Sequence, residues 1–97
     1  MKILAMEKEA PGVKPEQFTH HLKAEARRVW DLYQEGIIRE LYFRGDHSEA
    51  ILILECSSLE AANIILNSLP LVKEGLTTFD AVTLIPYPGF SRLFTEN

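Results

Sequence analysis

The chain is poor in the features that usually announce a function. Cys56 is its only cysteine, so no disulfide can form within it, and a reducing compartment suits it. No apolar run is long enough to span a membrane. The first residues, Met1-Lys2-Ile3-Leu4-Ala5-Met6-Glu7, reach charge too early for a signal peptide. The expectation is a cytoplasmic protein with no membrane partner. Basic residues are outnumbered, 10 Lys and Arg against 14 Asp and Glu, for a formal charge of −4. Phosphate binding needs a concentrated basic surface, so nucleic acid is not an expected partner. The best basic group, Lys23, Arg27 and Arg28, spreads over more than one helix face and reads as solvated surface. A Gly-rich phosphate loop, a nucleophile elbow and a Ser-His-Asp order are all missing, as are internal repeats and low-complexity segments.

Metal chemistry fares no better. Glu16 and His20 are four apart, as are His21 and Glu25, but the two pairs lie on different sides of a helix, and His47 sits in a turn with Asp46. No second cluster completes a coordination shell, so neither metal nor cofactor is expected. Cys56 ends an apolar strand and reads as a small buried thiol, not a nucleophile.

What is present is an ordinary globular composition, 46% hydrophobic and 25% charged. Ninety-seven residues make one domain, 1–97, which hides only about 60–65% of its unfolded surface and gains by self-association. The organising stretch is Ala50–Cys56, Ala-Ile-Leu-Ile-Leu-Glu-Cys. It is a short continuous apolar run that predicts a strand covered on both faces. Lys2–Lys8 is also apolar on both sides, with Ile3 and Ala5 pointing one way and Leu4 and Met6 the other.

Pro15 opens a predicted helix that runs to Glu35, with Gly36 as its C-terminal cap. Phe18, Leu22, Ala26, Val29 and Tyr33 form its apolar stripe, with Trp30 and Leu32 at the margins, and that stripe is expected to cover the sheet. Ile37–Arg44 mixes charge with apolar residues, as an edge strand does, and Gly45-Asp46-His47-Ser48 turns it into Ala50–Cys56. Ser57 or Ser58 caps a second helix that Pro70 helps to stop. Leu71–Gly75 reads as a linker, and Leu76–Ile85 as a last strand. The order β-α-β-β-α-β implies an α+β, ferredoxin-like antiparallel sheet of four strands, the first and third in the middle, with two helices on one face. The bare face must then meet a second copy or enclose a ligand. The remaining arm, 86–97, carries Tyr87, Phe90, Leu93 and Phe94; it is not expected to form a regular element and is expected to pack on a neighbouring subunit.

Glu25 fits its surroundings least. On the helical wheel it lies beside Leu22 and Val29, inside the arc bounded by Leu32 and Trp30. A carboxylate held against apolar side chains has its pKa pushed up, which suits a group that takes and returns a proton. His21, one turn earlier, is within reach of a hydrogen bond at i, i+4.

Leu22–Gly36 (LKAEARRVWDLYQEG), Ile37–Phe43, Ser58–Leu71 (SLEAANIILNSLPL) and the closing Leu84-Ile85-Pro86-Tyr87-Pro88 resemble the muconolactone isomerase family of dimeric α+β barrels. The resemblance runs from the first helix onward, and its most telling piece is the Leu69-Pro70-Leu71 stop. It implies protomers paired sheet to sheet, as homodimers or larger rings, with a pocket between sheet and helices. It implies a role in aromatic catabolism, moving a double bond within an unsaturated lactone by proton transfer. Glu25 matches an acidic residue on the family's first helix and becomes the expected proton shuttle, with His21 as its orienting partner. A basic residue of the family falls on Ala26, so Lys23, Arg39 or a backbone amide is left to stabilise the enolate. Lys23, Trp30, Arg39 and Tyr42 are the expected substrate contacts. The opposing reading is a non-catalytic ligand-binding or assembly module of the same fold, in which Glu25 faces water.

Overall fold

The computed structural model describes residues 1–95, so the last two positions of the arm lie outside it. Four strands, β1 (Lys2–Glu9), β2 (Ile38–Phe43), β3 (Ala50–Glu55) and β4 (Thr77–Leu84), form one sheet in the order β2-β3-β1-β4. Every neighbouring pair is antiparallel. The helices are α1 (Pro15–Phe18), α2 (Leu22–Gln34), α3 (Leu59–Asn67) and α4 (Pro70–Lys73). This is the expected ferredoxin-like α+β arrangement, and the two strands that are apolar on both sides do occupy the centre.

Register explains why. Ile3 and Ala5 lie opposite Leu54 and Leu52 on one side and opposite Thr83 and Ala81 on the other. That face meets Leu32 of α2 and Ala62 and Leu66 of α3 in a single core. Each fully buried aliphatic side chain of this kind contributes roughly 1.5–3 kcal/mol. Ser58 starts α3 by accepting the Ala61 amide at 3.0 Å, and Arg28 Nε donates to Ser68 Oγ at 3.1 Å, tying α2 to the end of α3. The opposite face presents Leu4 between Ile53 and Val82, and Met6 beside Ile51. Among the described residues no helix covers it: Val82 is 52% exposed and Met6 40%.

The expected elements need four corrections. The first helix is not continuous: a 3-10 turn, Thr19–His21, separates α1 from α2. Thr and two His are poor helix formers. The α2 stripe is also rotated. Leu32, placed at the margin, is buried at 1% exposure, whereas Leu22 and Tyr33 are open; much of the stripe lines hollows and not the core. The expected linker after Leu69 begins with a helical turn, α4, because Pro70 serves as its first residue as well as stopping α3. Finally, the arm does form a regular element, a 3-10 turn at Gly89–Phe94. The Tyr87 ring lies 2.1 Å from where a Cβ of residue 89 would stand, which only glycine permits. Tyr87 and Phe90 meet edge to face, 5.2 Å between centroids. The outer aromatic Phe94 is 85% exposed, and the molecule measures 60 × 28 × 21 Å.

Candidate functional site

A cleft of about 950 Å³ opens between the sheet and α1–α2. It includes the place where β1 and β3 part company. Their ladder ends at Met6 opposite Ile51, while β1 continues against β4 as far as Glu9 opposite Thr77. Beyond the ladder, side chains take over from backbone pairing. Glu7 Oε1 accepts the Ala50 amide at 2.9 Å, and Glu49 Oε2 accepts the Glu9 amide at 2.8 Å. Apolar groups from several elements wall the space, among them Phe18, Leu22, Val29, Leu52 and Phe79.

Glu25 is in this wall. Pro70 has no amide hydrogen, so the first free donor of α4 belongs to Leu71, and Glu25 Oε1 accepts it at 3.0 Å. The Leu69-Pro70-Leu71 passage thus holds the carboxyl in place. Burial pushes the Glu25 pKa above the ordinary value; the Leu71 amide opposes the rise, and the charge of Glu7 adds to it.

Glu7 is the residue that sequence reading missed. It follows Ile3 and Ala5 in the alternation of β1, so its side chain points to the helix side, where it is only 8% exposed. Burial raises its pKa most. The Ala50 amide and the Thr77 hydroxyl counteract that rise, and Glu49 and Glu9 reinforce it. Thr77 sits against the same carboxyl but makes no hydrogen bond of ordinary geometry; its Oγ1 is buried without a partner. Glu49 behaves oppositely. The Glu9 amide and the His47 ring hold its carboxyl below the usual range, so it stays ionised beside Glu7.

These directions make a stability prediction. Glu7 holds its proton to higher pH when folded than when unfolded, so its contribution is fully present below the ordinary value of 4.5 and is lost as pH rises through the folded value. Glu7→Gln keeps the acceptor for Ala50 and removes the charge. Its urea midpoint should exceed that of the wild type at pH 8 and match it at pH 4. An equal gap at both pH values would contradict the assignment.

The other expected site residues scatter. His21 is half-buried on the 3-10 turn; among the described residues the hydrogen bond to Glu25 comes from Leu71 and not from His21. Lys23 is exposed on α2 and Arg39 at a bulge in β2, where its Nε donates to the Gly36 carbonyl. Neither lines the cleft. Trp30 is exposed above a smaller hollow of about 310 Å³ shared with Tyr33. Tyr42 borders the main cleft at the β2 edge, with its hydroxyl donating to Glu40 Oε1 at 2.8 Å. Burial raises the Cys56 thiol, which disfavours its reactive form. Among the described residues no group of three His, Cys, Asp or Glu is placed to hold a metal ion, and no helix is long and apolar enough to cross a membrane.

No family model matches the sequence, and no curated protein matches it significantly. Solved structures do match. Muconolactone isomerase superposes with a TM-score of 0.75 at 22% identity, covering 92% of this chain and 93% of its own. A 5-chloro-2-hydroxyhydroquinone dehydrochlorinase from Burkholderia phenoliruptrix, in complex with 2,5-dihydroxybenzoquinone, superposes at 0.72 with 18% identity, covering 88% and 94%. At the level of the fold the resemblance drawn from the sequence holds: this chain carries the fold of muconolactone isomerase.

Proposed function

We propose that this protein is an intramolecular isomerase of small unsaturated lactones or related carbonyl compounds, with Glu25 as the proton shuttle. The observation that carries the reading is the Glu25 carboxyl itself, fixed by the Leu71 amide in an apolar cleft that raises its pKa. Such a group takes a proton from carbon beside a carbonyl and gives it back. The fold shared with muconolactone isomerase supports the reaction class. His21, one turn from Glu25, is its positioning group in this reading, and Tyr42 borders the main cleft and Trp30 the smaller hollow that a ligand would fill.

The working unit is a homo-oligomer. Leu4, Ile53 and Val82 form an apolar patch across three strands of the bare sheet face, and the aromatic arm leaves Phe90 and Phe94 uncovered. A second copy packed sheet to sheet, with the arm laid on a neighbour, removes both from water. The lone cysteine suits the cytoplasm.

The test is turnover of an uncharged enol lactone, α-angelica lactone, followed in heavy water by NMR. Conversion to the conjugated β-isomer with deuterium entering at the two exchanging carbons is the expected result. Absence of both from folded protein would overturn the isomerase reading for this lactone class and leave the binding module standing.

A further inference from the structure

Removing a proton beside a carbonyl places negative charge on its oxygen, and some group must receive it. Among the described residues the cleft offers no cation. Every ionised-type side chain lining it is acidic, Glu7, Glu9 and Glu25, and Lys23 and Arg39 stand elsewhere. Two groups do fit the need. Glu7 Oε1 is engaged by the Ala50 amide, which leaves Oε2 without a hydrogen bond of ordinary geometry among the described residues. Thr77, 2% exposed, lines the same cleft with its Oγ1 unpartnered. A buried hydroxyl with nothing to bond is costly unless a ligand completes it.

We propose that Glu7 is a second catalytic carboxyl, which as the neutral acid donates a hydrogen bond from Oε2 to the carbonyl oxygen of the substrate, with Thr77 Oγ1 as second donor, while Glu25 moves the proton. The assignment rests on the isomerase reading above and names its oxyanion site. Burial favours the neutral acid most; the Ala50 amide and the Thr77 hydroxyl act against it, and the charged groups facing Glu7, which are Glu49 on the β2–β3 hairpin, Glu9 on its own strand and Glu25 on α2, are all acidic and reinforce it. A carboxylic acid kept neutral in an apolar site is a good donor to a developing oxyanion.

The step balances without a co-reactant. Glu25 carboxylate takes the proton from the carbon next to the carbonyl. The C–H electron pair becomes a C=C bond of the dienolate, and the carbonyl π pair moves to oxygen, where the Glu7 O–H and Thr77 O–H receive it without transferring their own protons. Glu25 then returns its proton to the γ carbon, the C=O bond re-forms, and the ring double bond ends conjugated with it. Because the polar floor is acidic, the favoured substrates are uncharged; a lactone bearing a carboxylate meets repulsion.

Three variants and one ligand test this. Glu7→Gln retains a donor but cannot ionise, so kcat on α-angelica lactone should stay within about tenfold of wild type and the alkaline limb of the pH–rate profile should disappear. Glu7→Met fills similar space with no donor and should lose about 100-fold in kcat with KM little changed. Thr77→Val should lose about tenfold in kcat while its thermal midpoint holds or rises, a combination that a structural role does not produce. The ligand is tetronate, a stable enolate of the same ring, titrated by calorimetry. It should bind wild type and Glu7→Gln alike and bind Glu7→Met about 100-fold more weakly. Wild-type kcat or tetronate affinity in folded Glu7→Met, an unchanged alkaline limb in Glu7→Gln, or no tetronate binding by wild type would each overturn the assignment. Tetronate binding that depends on Glu7, without any lactone turnover, would instead remove the isomerase reading and keep the oxyanion site.

Discussion

Glu25→Gln is expected to lower turnover of α-angelica lactone by about 10³-fold, within the range that a single acid–base group supplies. The substitution is chosen for what it preserves. Gln has the same reach, and its Oε1 still accepts the Leu71 amide now bonded at 3.0 Å, so α4 keeps its start and the cleft its wall. What is lost is the capacity to carry a proton. Stability at neutral pH should hold or improve, because burial already disfavours the charged form of Glu25. A folded variant with wild-type kcat would take Glu25 out of the reaction while leaving the wild-type activity to be explained by another group, Glu7 foremost.

The second large effect concerns assembly. Ile53→Lys places an ammonium at the middle of the bare sheet face, between Leu4 on β1 and Glu40 on β2. In a two-fold sheet-to-sheet pair the change occurs twice in one interface. A charge left there without a buried partner costs about 3–5 kcal/mol, so with two of them in the interface the dissociation constant should rise by at least about four orders of magnitude. Sedimentation equilibrium should show oligomer for the wild type and monomer, or unfolded chain, for the variant. Thr78→Lys, on the same face near the end of β4, is the control and should change little. A monomeric wild type, or an Ile53→Lys protein that assembles normally, would rule out pairing through this face.

How much of this was legible in the sequence follows from the kind of signal each residue carries. The centre of the sheet was legible because β1 and β3 are apolar on both sides, a pattern only a central strand tolerates. Glu25 was legible because a charge stood among apolar neighbours at helical spacing. Glu7 obeyed the same logic, third in the series Ile3, Ala5, Glu7, but it sits in the run Glu7-Lys8-Glu9, where charge reads as the fraying end of a strand. Its burial depends on α2 and the β2–β3 hairpin, which are distant in sequence. The same holds for Thr77, whose missing partner is a property of assembled surroundings and not of local pattern. Pro70 was read as a stop and not also as a beginning, so α4 and its hold on Glu25 were invisible. The rotation of α2 was hidden because an apolar stripe looks alike whether it faces a core or a hollow.

The seam where β1 and β3 separate has a dynamic consequence. Elsewhere the two strands are joined by a continuous backbone ladder, but at the cleft they are joined by two carboxylate–amide bonds, Glu7 to Ala50 and Glu49 to Glu9. Side-chain bonds of this kind swing on rotatable carbon chains, so the strands can spread there while each ladder pair from Lys2 to Met6 stays intact. The mouth of the cleft is therefore closed by side chains where the rest of the seam is closed by backbone, and Glu7 supplies one of those bonds while also lining the cleft.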